Sequence, residues 1–295
     1  MTAMTSETSM QRLGKIDLHM HTTISDGTDS PQEILENVKA AGICLFSVTD
    51  HDAIKGSLQV VELLQDGDTG FITGVEFSCK DENGKYHILG YGYDSERKGI
   101  QDVVDLGHRY RMEKVQARLD FIKAEFGFSF SDEDLEKLLS LDNPGKPHIG
   151  NLMVQYGYVK TKEDAIRYYI DQLHFQNSYV RPEEAIRGIL ASGGIPVLAH
   201  PSYGRGDELI LGDEMDKRLK HLMGYGLQGV EAFYSGFTPK LQEEMLGFAK
   251  RYELYVTAGS DYHGTNKLIA LGDTGFMDEF VPDGIARFLA DVRKL

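Results

Sequence analysis

The chain is poor in cysteine and in positive charge, and it has no long apolar runs. Two cysteines in 295 residues, Cys44 and Cys79, cannot build a disulfide framework and fit a reducing compartment. Cys44 sits in the strand-like run Ile43-Cys44-Leu45-Phe46 and reads as core, and Cys79 reads as buried filler three residues after Glu76. Lys and Arg number 31 against 46 Asp and Glu, for a formal net charge of −15. That balance argues against a general nucleic-acid coat protein or a duplex-DNA binder, whose affinity rests on many cations meeting phosphates. A small anionic substrate remains open, because bound cations reverse a local field, and part of the negative charge is then metal-ligand charge. No run approaches the roughly 20 apolar residues of a membrane span. Residues 1–14 hold no signal-type stretch and read as a loose leader, so a cytoplasmic protein is expected. There is no internal repeat and no low-complexity tract.

What is abundant is histidine and carboxylate at the ends of apolar runs. Three segments stand out: Asp17-Leu18-His19-Met20-His21, Thr49-Asp50-His51-Asp52 and Gly259-Ser260-Asp261-Tyr262-His263. Imidazole and carboxylate together suit Zn, Mn and Fe, and several such ends side by side hold more than one ion. His19 and His21 lie two apart on an expected strand and so project to one face. Asp26 follows in an Asp-Gly turn, His51 ends the next strand and Glu76 the one after. His87 begins another strand, His200 ends another, and Asp261 and His263 end the last. Each has an ordinary reading as well: a hydrogen-bonded strand-end histidine, a paired buried carboxylate for Glu76, a turn cap for Asp26. Nine such groups on at least six strand ends favour ligation. Asp17, Asp50 and Asp52 read as groups that orient the imidazoles.

The organisation is strand–helix alternation, then a helical stretch, then alternation again. Strands are expected over 15–21, 43–50, 70–77 and 86–93, the last two joined through a hairpin turn at Asn83-Gly84. Helices are expected over 31–41, with Ser30 as N-cap, Pro31 in the first turn and Gly42 as stop, and over 54–65. From about 99 to 180 the pattern is helical, with long amphipathic runs over 102–126, 131–140 and 162–172. Asn143-Pro144-Gly145-Lys146-Pro147 breaks that stretch. Helices over 182–191, 215–225 and 239–252 then alternate with strands over 195–200, 229–233 and 254–261. About seven strands with chemistry at their C-terminal ends suggest a parallel α/β barrel with its site on one face.

The motifs Asp17-Leu18-His19-Met20-His21-Thr22, Thr49-Asp50-His51, Gly74-Val75-Glu76, Ala199-His200-Pro201 and Gly259-Ser260-Asp261-Tyr262-His263 resemble those of the PHP family, the polymerase and histidinol phosphatase domains. The match runs in order over residues 15–94 and 181–276. It implies a distorted (βα)7 barrel over 15–98 and 181–295, with residues 99–180 inserted as a helical cap. It also implies a site of two or three divalent ions and phosphoester hydrolysis. Carried over by position, one ion would take His19, His21, Glu76 and Asp261, and a second would take His87 and His200 with Glu76 bridging. A third would take Asp26, His51 and His263. A metal-bound water held among Glu76, His200 and Asp261 would attack the phosphate, with no Ser–His or Cys–His nucleophile required.

Lys146-Pro147-His148-Ile149-Gly150 resembles a segment of the stand-alone branch of this family. It makes Lys146 and His148 candidate phosphate contacts, against a reading as a loop lysine and a helix-capping histidine. Arg109 and Arg111 on the long helix are further candidates, although helix arginines are usually solvated. Several relatives carry an arginine near the place of Tyr203, and here Arg205 stands two residues further on as a candidate substrate contact. His108, His174 and His221 are given no role.

The resemblance implies a phosphatase acting on small nucleotides, such as nucleoside 3′,5′-bisphosphates, AMP or the 5′ ends of short RNA. Histidinol phosphate is an alternative substrate, made less favoured by the helical insertion. C–N hydrolysis of the amidohydrolase type is another reading, since those barrels also begin with His-x-His. The Asp-His pair at His51 and the lack of a strand-end bridging lysine favour the phosphoester. A metal-stabilised scaffold without catalysis is the remaining class. Metal identity among Mn, Zn and Fe, and the oligomeric state, are left open by the sequence.

Overall fold

A computed structural model describes residues 13–175, 177–203, 209–278 and 281–295. The fold is α/β. Among the described residues β1 (Lys15–Asp17), β2 (Ile43–Phe46) and β3 (Gly70–Phe71) form a parallel sheet in that order. A second sheet runs β4 (Gly74–Asp81), β5 (Gly84–Tyr91), β6 (Ile195–Leu198), β7 (Gly229–Tyr234) and β8 (Tyr255–Gly259). In it β5 is antiparallel to both neighbours, while β6, β7 and β8 run parallel. The sheets meet at both lateral edges. Leu18 N–H donates to Ala258 O at 2.9 Å and Met20 bridges Tyr262 on one side, and His51 bridges Glu76 on the other.

This differs from a uniform run of seven parallel strands. The expected strand over 70–77 splits, so Glu76 is the third residue of β4 rather than its end. Regular pairing also stops before several of the metal-type residues, at Asp17, Phe46 and Gly259. The reason is local: side chains enter the ladder beyond those points. Met20 N–H donates to Thr49 Oγ1 at 3.2 Å, and Ser260 N–H to Asp17 Oδ1 at 2.9 Å. His19, His21, His51, His200, Asp261 and His263 therefore lie just beyond the strands and Asp26 lies in a turn, while Glu76 and His87 lie within β4 and β5.

The helices form where their caps dictate. Ser30 and Glu33 close a capping box ahead of α1 (Pro31–Ala40), whose Ile34, Leu35 and Val38 are buried. After α2 (Lys55–Leu63) come α3 (Lys98–Phe126), α4 (Asp132–Leu139), α5 (Lys146–Gln155) and α6 (Lys162–Tyr168). Residues of these last four, with Ile170, make their own apolar cluster around Val115, Ile122, Ile149, Met153 and Ala165. The breaker at 143–147 proves to be the start of α5. Proline is tolerated in the first turn, where its missing N–H has no partner to lose, and His148 Nδ1 accepts from Gly145 N–H at 3.0 Å. The helices α7 (Pro182–Ala191), α9 (Pro239–Arg251) and α10 (Asp283–Asp291) pack on the second sheet, and α8 (Gly212–Met223) reaches it through His221 Nε2, 2.7 Å from Asp81 Oδ2, and Arg218 Nη2–H, which donates to Lys85 O at 2.6 Å.

Cys44 is not core. Period-two alternation turns it to the outer face of β2, where it is exposed with Sγ near the carbonyls of Leu13 and Lys15. Cys79 is buried.

Asp17 ties three segments together under the site. Its carboxylate accepts from Ser260 N–H and Oγ–H at 2.9 and 2.6 Å, from Gly272 N–H at 2.8 Å and from His19 N–H at 3.3 Å. Burial nevertheless pushes its pKa up to about 6 against those donors. Asp17→Ala would leave the backbone N–H groups of His19, Ser260 and Gly272 without this acceptor. The expected loss is on the order of 2–5 kcal/mol, read as a drop of several degrees in the thermal midpoint by calorimetry.

Candidate metal centre

Glu76 is the hub. Its side chain is 1% exposed and each of its oxygens faces a different set of imidazoles. Oε1 lies 2.8 Å from His87 Nδ1 and 3.2 Å from His200 Nε2. Oε2 lies 3.0 Å from His51 Nδ1, 3.2 Å from His21 Nε2 and 3.4 Å from His19 Nε2. Asp261 Oδ1 adds to the second set at 3.3 Å from His21 Nε2 and 3.6 Å from His19 Nε2. Asp26 Oδ1 gathers a further group, 3.3 Å from His263 Nε2 and 3.8 Å from His51 Nε2 and His21 Nδ1. All nine metal-type residues singled out in the sequence thus converge on one region.

The donor chemistry fits cations. Histidine Nε2 of residues 19 and 21, His51 Nδ1, Asp26 Oδ1 and Glu76 Oε2 are buried without a hydrogen-bond partner. Orphaned buried acceptors are costly unless something compensates them, and here they point at one another. Three groups have ligand atoms close enough to share an ion: His21 with Asp26, His51 and His263; His19 with His21 and Glu76; and His51 with Glu76 and His87. His51 and His21 each stand between two groups.

Charge is arranged accordingly. Burial opposes ionisation of Glu76 and Asp26, but the surrounding imidazoles hold both carboxylates well below their usual range. Asp261 behaves the same way, with Lys267 the strongest stabilising neighbour. Burial opposes a charge on His21, yet Asp261 and Glu76 raise it to about 9. His51 and His263 are depressed, first by burial. A neutral imidazole is the ligand form.

The supporting shell differs from expectation. None of Asp17, Asp50 and Asp52 takes an imidazole hydrogen bond among the described contacts; each holds backbone and neighbouring side chains instead. Asp50 accepts from Thr22 N–H and Oγ1–H at 2.8 and 2.7 Å and from Ser25 Oγ–H at 2.7 Å. Asp52 receives Ser78 N–H at 2.9 Å and the guanidinium of Arg111, whose Nη2 is 2.9 Å away. Arg111 is therefore buried and paired, not solvated. The carboxylate that orients an imidazole is Glu231 on β7, which the sequence reading missed. Its Oε1 lies 2.9 Å from His19 Nδ1, and its Oε2 accepts the His200 backbone N–H at 2.7 Å. A carboxylate in the middle of an otherwise apolar strand, Gly229-Val230-Glu231-Ala232-Phe233, is the signal that could have found it.

Backbone geometry supports the same loops. His200, Asp52 and Asp261 all adopt positive φ, at 28°, 52° and 58°. Left-handed non-glycine residues concentrate where a surrounding network fixes them. Gly259 is required by close approach, since a Cβ there would sit 2.2 Å from His19 Cβ and 2.4 Å from Glu231 Oε1.

The substrate candidates are less uniform. Lys146 is paired with Asp171 at 2.8 Å, and His148 caps α5 with Asp26 in electrostatic reach. Arg205 lies outside the described residues. Lys267, unremarked in the sequence, places its ammonium 2.6 Å from Asp261 Oδ2, with Tyr234 Oη–H donating to the same oxygen at 3.0 Å.

If Glu231 fixes His19 as a ligand, Glu231→Gln should weaken metal binding by about 10–100-fold with the fold retained. A titration of chelator-stripped protein with Mn²⁺ or Zn²⁺ reads this directly.

The PHP domain model matches residues 17–181. The chain is 28% identical over 274 residues to a 5′-3′ exoribonuclease of Haemophilus influenzae, covering 91% of this chain and 97% of that one. It is 30% identical over 262 residues to a phosphoribosyl 1,2-cyclic phosphate 1,2-diphosphodiesterase of Eggerthella lenta, covering 84% and 94%. It is 26% identical over 258 residues to a 3′,5′-nucleoside bisphosphate phosphatase of Chromobacterium violaceum, covering 85% and 88%. Among solved structures, one assigned as a metal-dependent phosphoesterase from Bifidobacterium adolescentis superposes with a TM-score of 0.78 at 26% identity, over 94% of this chain and 96% of that one. One described as an amidohydrolase from Chromobacterium violaceum, holding sulfate and no metal, gives 0.79 at 26% identity, over 95% and 97%. With the motifs and the imidazoles converging on Glu76, these matches show that the chain belongs to the PHP domain family.

Proposed function

We propose that the protein is a metal-dependent phosphoesterase that hydrolyses phosphate esters of small nucleotides or of short RNA ends. The observation that carries this is the divided carboxylate of Glu76, with His87 and His200 on one oxygen and His19, His21 and His51 on the other. A single buried carboxylate so placed suits a bridge between cations. The named activities of the relatives, on RNA, on a cyclic phosphate and on a nucleoside bisphosphate, share the phosphoester and differ in the rest of the substrate.

Two or three ions of the Mn, Zn or Fe type would be held by His19, His21, Glu76 and Asp261, by His87 and His200, and by Asp26, His51 and His263. When bound, such ions ionise water near neutral pH and offset phosphate charge. The chain's own groups supply the remainder. Glu231 and Ser25 hold His19 and His21 in orientation from behind, at 2.9 and 3.4 Å. Lys267, 38% exposed at the rim, offers a cation to a phosphate oxygen beside Asp261. His87, 35% exposed, gives the cluster its opening to solvent.

In this reading the two sheets form one distorted barrel from 15–98 and 181–295, supported by the backbone links at both sheet edges. Residues 99–180 form a helical cap, supported by their separate apolar cluster. No helix among the described residues is long and apolar enough to cross a membrane, which accords with a cytoplasmic enzyme. The amidohydrolase description of one structural neighbour keeps C–N hydrolysis as the rival. The sulfate held by that same neighbour, a phosphate-like anion, favours the phosphoester.

Purified protein loaded with Mn²⁺ should release phosphate from an aryl phosphate and from nucleotides, and should leave a cyclic amide intact. Asp261→Ala should lower kcat/KM by about a hundredfold or more. Absence of phosphate release from every member of a panel including histidinol phosphate would remove the reading, and turnover of the amide would replace it.

A further inference from the structure

One of the three metal-type groups is gripped from outside the two sheets. His21, Asp26, His51 and His263 have ligand atoms close enough to share an ion, and they stand on the segments that follow β1, β2 and β8. Ladder pairing has already stopped there, so something else must hold these segments. For His19 and the His200 backbone that support is Glu231 of β7, within the second sheet. For the segments of Asp26, His51 and His263, support also comes from the helical stretch 99–180.

The His51 segment is pinned at two successive residues. The His51 carbonyl accepts a hydrogen bond from Asn143 Nδ2, in the turn before α5. Asn143 is fully buried, and its Oδ1 lies 3.4 Å from His108 Nδ1 on α3. Both ends of the amide are thus occupied, as burial of a polar group demands. The next residue, Asp52, holds φ at 52° and accepts from Arg111 Nε–H and Nη2–H at 3.1 and 2.9 Å. A left-handed non-glycine residue persists only where its surroundings over-determine it. Gly107 of α3 packs against the same residue, since a Cβ there would lie 2.9 Å from Asp52 Cβ.

The segments of Asp26 and His263 are tied through one residue, Asn266. Its Nδ2–H donates to the Asp26 carbonyl at 2.8 Å, and its backbone N–H to the His263 carbonyl at 3.3 Å. Beside it, Thr265 N–H donates to Thr28 Oγ1 at 2.9 Å. Lys162, the first residue of α6, reaches this junction from the helical stretch. Its Nζ lies 2.6 Å from the Asn266 carbonyl oxygen and 3.2 Å from Asn266 Oδ1. The Lys162 side chain is 14% exposed, and its stem runs past Gly150 of α5, where a Cβ would meet Lys162 Cγ at 3.1 Å. Glu163, a solvent-exposed carboxylate, lies further from the ammonium at 3.5 Å. The ammonium is therefore directed at Asn266, one hydrogen bond away from Asp26 and from His263.

We propose that Asn143, Lys162 and Asn266 are positioning residues for the ion that Asp26, His51 and His263 would hold with His21, and that seating of the helical stretch on the sheets is coupled to that ion selectively. The inference rests on the metal-dependent reading of the centre and deepens it, because the ion sites are then not equivalent. The site around His19 and Glu76 is framed from within the sheets by Glu231. The site around Asp26 and His263 reaches full affinity only with the helices in place. Coupling of this kind is reciprocal, so an ion in that group also steadies α5 and α6.

The test titrates chelator-stripped protein with Mn²⁺ by calorimetry, comparing wild type with Lys162→Met, Asn143→Leu and, as a control, Lys55→Met. The control breaks an exposed ion pair, Lys55 with Asp142 at 2.6 Å, that crosses the same boundary and touches no residue of the group. In Lys162→Met and Asn143→Leu one class of Mn²⁺ site should weaken about tenfold or more, the scale of a lost supporting contact, with the other sites within about twofold of wild type. The control should leave every site within about twofold. Lys162→Met placed on His263→Ala, which already lacks a ligand of the group, should bring no further loss. Hydrogen exchange gives the reciprocal readout: Mn²⁺ should slow exchange in α5 and α6 of wild type more than in Lys162→Met. Sites that weaken together or not at all, a control that behaves like the variants, further loss on the His263→Ala background, or exchange in α5 and α6 that ignores Mn²⁺ would each overturn the coupling and leave the metal centre standing. A wild type that binds neither Mn²⁺ nor Zn²⁺ removes the metal-dependent reading itself, and the inference with it. Circular dichroism establishes that each variant is folded, and Lys162→Met carries the test if Asn143→Leu does not fold.

Discussion

A carboxylate buried among five imidazoles is the constraint on which the rest of this structure depends. Glu76 loses nearly all contact with water, so its charge survives only because histidines surround it. Those histidines come from segments far apart in the chain: His19 and His21 after β1, His51 after β2, His87 in β5 and His200 after β6. Holding them together requires the strands to converge. The strand ends are accordingly pinned by polar side chains rather than by ladder pairing alone. Asp17 gathers Ser260 and Gly272, Asp50 gathers Thr22 and Ser25, and Glu231 gathers His19 and the His200 backbone. A second layer of buried carboxylates thus stabilises the geometry of the first.

The same logic orders the charges around the centre. Close to Glu76 the excess is negative and suits cations. Along the hairpin and α3 it turns positive. The two fields meet at Asp52 and Arg111, whose ion pair joins the loop after β2 to the long helix. A phosphate ester needs both signs: cations at the bond that breaks and donors for the groups that stay. An acidic chain is compatible with a phosphorylated substrate because the balance is local.

Much of the centre was legible in the sequence because metal chemistry restricts residue type. Imidazoles and carboxylates at the ends of apolar runs have few other common uses, and each of the nine lies within reach of the same cluster. The helices were legible where caps and proline mark them, as at Ser30-Pro31. Glu231 was not, because one acid in an apolar strand reads as noise until His19 is seen against it. Neither was α5, whose Gly145-Lys146-Pro147 start resembles a loop in one dimension. Lys114 and Arg118 also escaped notice, since spacing on a helix does not tell a solvated face from a buried one.

The sequence by itself determined which imidazoles and carboxylates stand at the ends of apolar runs, the alternation of strands and helices and the long helical stretch after residue 98. These follow from side-chain chemistry and periodicity, which are local properties. Only the tertiary structure decided that Glu76 divides its oxygens between two groups of imidazoles. It also decided that β5 runs antiparallel within the sheet, and that a row of buried cations extends from the centre. Those depend on which distant segments approach within a few ångströms, and burial, pairing and charge acquire their meaning only at that distance.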